Sequence, residues 1–322
     1  MFRAGARFLT AAILSSLVGL ASAANFPDHA ITVITPFPAG GATDALTRVL
    51  AEHMGKTLGQ SVIVENRAGA ATTIGASYAA RANPDGYTVL LATNSTLVTN
   101  RYLYKSLSYD PDAFTPIGMI GIGPMVLLTA QKRGFKSLGD VVSAARKTPN
   151  TLSIASFGAG TSSHLAAEYF QQLAGVKMLH VPFRGSSQAL PQLVNGDVDL
   201  FFDMVGTGMP QVDAHKVDVL AITSKKRLSS LPALPTVSEE GYPGFEMTAW
   251  FTLVAPPATP SNVTATLSKA LTAALKDETV RKRLLAMGIE PGDGSAQALS
   301  TQIRTELPII EALVKRANIE VQ

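Results

Sequence analysis

From position 31 the chain alternates between short, unbroken apolar runs and longer stretches where apolar residues recur every third or fourth position. Residues 31–37 (ITVITPF), 61–65 (SVIVE) and 87–93 (YTVLLAT) are of the first kind. They are rich in β-branched residues and do not alternate, the pattern of strands covered on both faces in a parallel sheet. Between them, 42–58 and 71–82 read as helices, and Asn83-Pro84-Asp85-Gly86 is a turn. A second set follows: helix 137–147 with Ser137 as its N-cap, strand 152–156, helix 161–173, strand 178–183, helix 187–194, and strands 200–203 and 219–223. The run 117–130 is long, apolar and punctuated by glycine, and reads as a strand passing from one lobe to another. Residues 249–255 (AWFTLVA) read as the returning strand. Helices over 261–276, 278–287 and 296–319 close the chain. The pattern predicts an α/β fold of two lobes, each a central, mostly parallel sheet flanked by helices, with two crossing strands as the hinge. The expected boundaries are 24–124 plus 249–322 for the first lobe and 125–248 for the second.

The first 23 positions follow another pattern. Arg3 and Arg7 precede an apolar stretch, 8–20, that ends in Ala21-Ser22-Ala23. A charged start, an apolar middle and an A-x-A site predict a secretion signal over 1–23, cleaved near Ala23, and a periplasmic protein. The stretch is short for a membrane span and carries Thr10, Ser15, Ser16 and Gly19.

Composition narrows the function. A chain of 322 residues accommodates two domains. With 46% hydrophobic and 16% charged residues it is a folding chain, not a disordered one. The formal charge is +3, and there is no basic run interleaved with aromatics, so nucleic acid is not an expected partner. The absence of cysteine removes thiol nucleophiles and thiolate metal sites.

Candidate chemistry gathers at three strand-to-helix loops, where ligands of such folds bind. The first is Pro36-Phe37-Pro38-Ala39-Gly40-Gly41, followed by Thr43 and Asp44. Glycines let backbone N–H groups approach a ligand, and a helix N-terminus favours an anion. Asp44 would cap or hold the loop, since a carboxylate repels an acidic ligand at close range. The second, Gly158-Ala159-Gly160-Thr161-Ser162-Ser163-His164, offers more hydroxyls than one N-cap requires. His164 falls in a first helical turn, where the dipole disfavours its cation; it is either a neutral donor to ligand or a packing residue. In the third, Arg184 and Gly185 lie between a strand and a helix, with Arg184 free to pair with a carboxylate or with protein. Thr93 and Asp203 stand at the ends of apolar strands, and Asp203 could receive a ligand group or cap a helix. Phe37 and Phe183 are candidate walls.

Enzyme patterns fail. Gly55-Lys56-Thr57 resembles the end of a phosphate-binding loop, but Leu50 occupies the place of its first glycine. Ser163 replaces the last glycine of a dinucleotide pattern begun by Gly158 and Gly160. The five histidines have no metal spacing. No catalytic residue, metal or cofactor is expected.

Several segments in order, ITVITPFPAGGATD, VIVENRAGA, ANPDGYTVLLAT, FTPIG, VPFRG, NGDVDLFFD and AWFTLVAPPATP, resemble the substrate-binding receptors of tripartite tricarboxylate transporters, the Bug family. The likeness spans nearly the whole chain after the leader. It implies a class II periplasmic binding-protein fold whose two lobes close on a ligand. It implies that loops falling here at Phe37 to Asp44 and Gly158 to His164 grip a carboxylate through amides, hydroxyls and water. The distal part of the ligand would be read by less uniform residues, such as Arg184 and Asp203. The implied ligand is a small organic carboxylate: a di- or tricarboxylate, an acidic amino acid or an aromatic acid. The implied partner is a membrane permease driven by an ion gradient, with presentation to a sensor kinase as the alternative and an exported carboxylate-processing enzyme as the remote one. A monomer is expected.

Overall fold

A computed structural model describes residues 26–317. The expected leader, 1–23, lies outside the described residues, as does the end of the last helix expected at 319.

The first lobe opens with β1 (Ile31–Thr35), α1 (Ala42–Leu58), β2 (Val62–Asn66), α2 (Thr73–Ala80) and β3 (Thr88–Thr93). β1 lies between β2 and β3, parallel to both, with Val33 opposite Val64 and Val89. Ile31, Val33, Ile34 and 89–92 are all buried, as unbroken apolar runs require when helices cover both faces of a sheet. A π-helical turn (Ser95–Thr99) and α3 (Asn100–Leu103) then lead to β4 (Thr115–Ala130).

The second lobe comprises α4 (Leu138–Lys147), β5 (Ser153–Ser156), α5 (Ser162–Ala174), β6 (Leu179–Pro182), α6 (Ser186–Asn195), β7 (Leu200–Met204), α7 (Val205–Asp213) and β8 (Val217–Ile222). β5 is parallel to β6 and β7. Ser137 caps α4 in a reciprocal box with Asp140. The chain finishes with β9 (Thr248–Ala255), α8 (Ser261–Lys276), α9 (Glu278–Ala286), β10 (Glu290–Pro291) and α10 (Ala296–Ala317).

One long strand joins the lobes. Between Thr115 and Pro124, β4 pairs antiparallel with β9; from Met125 to Ala130 it pairs antiparallel with β7 and β8. The strand order is β2-β1-β3-β9-β4-β7-β5-β6, with β8 and β10 added to β4. The sheet is therefore parallel towards its outer strands and antiparallel around the crossing. The return path is tied at the same level: Met247 N–H bonds to Thr223 O at 3.0 Å, and Thr223 N–H to Met125 O at 2.9 Å.

The helical turns over 95–103 and the short β10 were not expected from sequence, and two further segments differ from the expectation in ways the packing explains. The helix expected from 71 begins at Thr73, because Ala70, Ala71 and Thr72 have φ of 45°, 47° and 80°. Asn100 donates to Ala71 O (2.8 Å) and the Thr96 hydroxyl to that of Thr72 (2.9 Å), so tertiary bonds hold a backbone that local preference opposes. The α7 helix contains Gly206, Gly208 and Pro210, which weaken any helical signal. It forms because those glycines allow close approach: a β-carbon at Gly206 would lie 2.9 Å from the Met287 backbone, and one at Gly208 3.0 Å from Leu128.

Candidate functional site

The carboxyl ends of β1, β3, β5, β6 and β7 all turn towards the crossing, and α1, α5 and α6 start there. Their first residues meet in one interlobe cleft of about 450 Å³, open mouth included. From α1 come Gly41, Ala42 and Thr43; from α5, Ser162; from α6, Gly185, Ser186 and Ser187. Phe37, Pro38, Phe157, Met204, Ala249 and Phe251 form the apolar walls. Among the described residues no ionisable side chain lines this cleft.

The three helix starts share one construction. Each N-cap (Gly41, Thr161, Gly185) lacks a side-chain capping bond. Each helix instead carries, four residues beyond the residue preceding its N-cap, a side chain that accepts that residue's N–H. The pairs are Gly40 N–H to Asp44 Oδ2 (3.0 Å), Gly160 N–H to His164 Nδ1 (3.0 Å) and Arg184 N–H to Gln188 Oε1 (3.2 Å). The loop is pinned from behind, while the amides at the helix tip stay free of any side-chain cap and carry the positive end of the dipole. Three such tips around one uncharged cleft form an anion site built from neutral donors.

The pinning groups are themselves held. Asp44 also accepts from Arg48 Nε and from Asn66 Nδ2, each at 3.0 Å, and Asn66 bonds to Phe37 O. Burial alone would raise the Asp44 carboxyl, but the bonds from Arg48, Gly40 and Asn66 together hold it below the usual carboxylate range. His164 stacks on His180 with ring centroids 3.9 Å apart, and His180 Nε2 meets the Ser156 hydroxyl at 2.7 Å. Burial, with the His180 charge adding to it, pushes His164 down to about 3; burial pushes His180 down to about 4. Both rings are neutral at physiological pH, and the His164 proton sits on Nε2 because Nδ1 is the acceptor.

Among the hydroxyls of residues lining the cleft, that of Thr93 is buried and without a partner. Thr93, 3% exposed at the end of β3, lines the cleft, and its Oγ1 makes no hydrogen bond. Among the described residues six buried side-chain polar atoms lack a partner, and Thr93 Oγ1 is the one of them at the cleft, where a ligand can supply the missing acceptor or donor.

The structure therefore sorts the sequence candidates. Phe37, Gly41, Thr43, Thr93, Ser162 and Gly185 line the cleft. Gly158 and Arg184 border an adjoining chamber beyond Phe37 and Phe157, together with Phe183 and Tyr104. Gly40, Asp44, Gly160 and His164 pin the loops, and Thr161 bonds its hydroxyl to Gly158 O at 2.7 Å. Ala39 is exposed at the loop tip. His164 takes the packing alternative. Asp203 is wholly buried behind α6, and its carboxylate accepts from the hydroxyls of Ser186 (2.5 Å) and Thr207 (2.8 Å). Sequence reasoning missed Ser186, Ser187, Phe157, Met204, Ala249 and Phe251. The first three lie in or beside the loops it singled out; the last three are strand residues whose only signal is proximity to the crossing.

Among the described residues no group of three or more His, Asp or Glu is placed to hold a metal, and no helix is long and apolar enough to cross a membrane.

Residues 46–319 match the family described as the tripartite tricarboxylate transporter family receptor. The fold is similar to that of Rpa4515 from R. palustris solved with adipate, at TM-score 0.89 and 35% identity over 92% of this chain and 99% of that one. It is similar to the periplasmic binding protein BugD, at TM-score 0.88 and 36% identity over 92% and 100%. It is also similar to MatC from Rhodopseudomonas palustris with bound malate, at TM-score 0.84 and 33% identity over 90% and 100%.

Proposed function

The chain belongs to the receptor family of tripartite tricarboxylate transporters, and from that premise we propose that it captures a small organic carboxylate between its lobes and delivers it to a membrane permease. The observation that carries this reading is the meeting of three uncapped helix N-termini at one cleft free of ionisable side chains. A hydrogen bond to a charged group contributes roughly 1.5–3 kcal/mol net. Four to six amide and hydroxyl donors therefore offset carboxylate desolvation and reach micromolar affinity, about −8 kcal/mol, without an arginine. Adipate in Rpa4515 and malate in MatC are carboxylates held by related folds.

Lobes bounded at 124/125 and 248/249 would close about the β4 crossing, and the ligand drives closure by binding that state more tightly. The reading is of a receptor and not an enzyme. The adjacent Ser163 and His164 are directed elsewhere: the Ser163 hydroxyl donates to Phe202 O at 2.6 Å, and His164 accepts from Gly160. Export to the periplasm fits the family and the leader pattern in the sequence. The test is a thermal-shift panel on protein refolded free of carried-over ligand, with adipate, malate, citrate, glutamate and benzoate. At least one acid raises the melting temperature; if none does while an uncharged analogue does, the carboxylate reading is wrong.

A further inference from the structure

Asp203 is a wholly buried carboxyl group set directly behind the α6 wall of the cleft, and its geometry gives it control over a group that faces the cleft. Ser186, first residue of α6, is 5% exposed and lines the cleft. Its Oγ lies 2.5 Å from Asp203 Oδ1, while the Thr207 hydroxyl meets Oδ2 at 2.8 Å and Ser186 Oγ at 3.3 Å. A serine has one hydroxyl proton. With Asp203 ionised, that proton points back at the carboxylate and Ser186 shows the cleft only lone pairs, which repel an anion. With Asp203 protonated, the carboxyl donates to Ser186 Oγ, and the serine proton is free to turn into the cleft and donate to the ligand.

We propose that Asp203 is a positioning residue that sets the direction of the Ser186 hydroxyl, so that capture of a carboxylate is coupled to uptake of one proton by the Asp203–Ser186 pair. This rests on the reading of the cleft as a carboxylate site. The groups that face the Asp203 carboxyl are the Ser186 hydroxyl from α6, the Thr207 hydroxyl from α7 and the Met204 N–H. Val126 and Leu128 of β4 close the Gly208 side. On α5, Ser163 and His164 are committed to Phe202 O and Gly160 N–H. No charged side chain contributes to its titration: burial raises the carboxyl to about 7, against the lowering bonds from Ser186, Thr207 and Met204. The anionic ligand raises it further, and by linkage the proton raises the affinity for the anion equally. The sign follows. Affinity is greatest below the ligand-free value and falls as pH rises through it, by up to about tenfold per pH unit, until the ligand-bound value is reached.

Calorimetric titration with whichever acid of the thermal-shift panel gives the largest shift, from about pH 6 to about pH 9, tests this. In phosphate and in Tris, whose ionisation enthalpies differ, the apparent binding enthalpy separates by the heat of up to one proton taken up near neutral pH. Asp203→Asn presents a permanent donor to Ser186, so it binds across the range as the wild type does at low pH, with no proton exchange. Ser186→Ala binds weakly at every pH and loses most of the linkage. If Asp203→Asn does not fold, the two-buffer measurement on the wild type decides alone. Binding without proton uptake overturns the proposal and leaves the carboxylate reading standing; absence of binding by every acid of the five-member panel at low pH, with an uncharged analogue binding, overturns both.

Discussion

At the scale of single residues, the unpartnered Thr93 hydroxyl separates ligand binding from stability most cleanly. Valine has nearly the same shape and lacks the group that the fold leaves unsatisfied. Replacing an unpaired buried hydroxyl by a methyl is neutral or mildly stabilising, whereas a lost bond to a carboxylate costs about 1.5–3 kcal/mol. Thr93→Val is therefore expected to keep or slightly raise the ligand-free melting temperature and to weaken carboxylate binding about tenfold or more, read by paired thermal and calorimetric titrations. His164 gives a second residue-level expectation. Its folded value near 3 lies well below the ordinary 6.5. Because the unfolded chain takes the proton first, the residue's contribution to stability is complete above about pH 6.5 and is lost as pH falls towards the folded value. NMR of the ring should show an Nε2–H tautomer and no titration step between about pH 8 and about pH 5. A step near 6.5 would mean that the ring is not held against Gly160 and His180.

The element scale explains what was legible in the sequence. Strands β1 and β3 and the glycine loops were readable because burial on both faces forces unbroken apolar runs, and sharp turns at helix tips favour glycine and hydroxyls. Asp44 was readable as the residue that caps or holds its loop, but the shared arrangement was not, because Asp44, His164 and Gln188 are different residue types doing one job; only the spacing from Gly40, Gly160 and Arg184 unites them. Asp203, ending an apolar strand, reads from sequence either as a group that receives the ligand or as a helix cap; in the structure its carboxylate accepts from Ser186 of α6 and Thr207 of α7 instead of facing the cleft. The pin at α1 is testable as an element. Asp44 is 4% exposed and accepts from Gly40, Arg48 and Asn66, so Asp44→Ala removes three part-buried bonds to one carboxylate and is expected to cost roughly 1–3 kcal/mol of stability. It should also loosen the α1 tip and weaken binding. Arg48→Ala removes only the largely exposed partner, with a side chain 54% exposed, and should change stability by less than about 1 kcal/mol. Chemical denaturation of the two variants checks the contrast; equal losses would place the effect in the ion pair and not in the loop.

For the whole molecule the question is whether binding needs the lobes to meet, and two glycines in nearly the same conformation separate local strain from closure. Gly40 has φ 79° and Gly160 φ 82°. Alanine in that region costs about 1–2 kcal/mol at either position. The surroundings differ. A β-carbon at Gly40 would meet nothing within 4 Å, whereas one at Gly160, on the second lobe, would lie 2.5 Å from Leu103 Cδ1, which the first lobe carries on α3. Gly40→Ala thus reports strain at a helix tip alone, and Gly160→Ala reports the same strain plus a wedge between the lobes. Both should fold with similar ligand-free melting temperatures. In X-ray scattering with a saturating acid, Gly40→Ala should contract as the wild type does, while Gly160→Ala should remain more extended and bind more weakly. The loss arises because a ligand selects the closed state only as far as that state is accessible, so raising its energy lowers apparent affinity by the same factor. Equal contraction of both variants would show that Leu103 yields to the added methyl and that capture does not depend on this contact between the lobes.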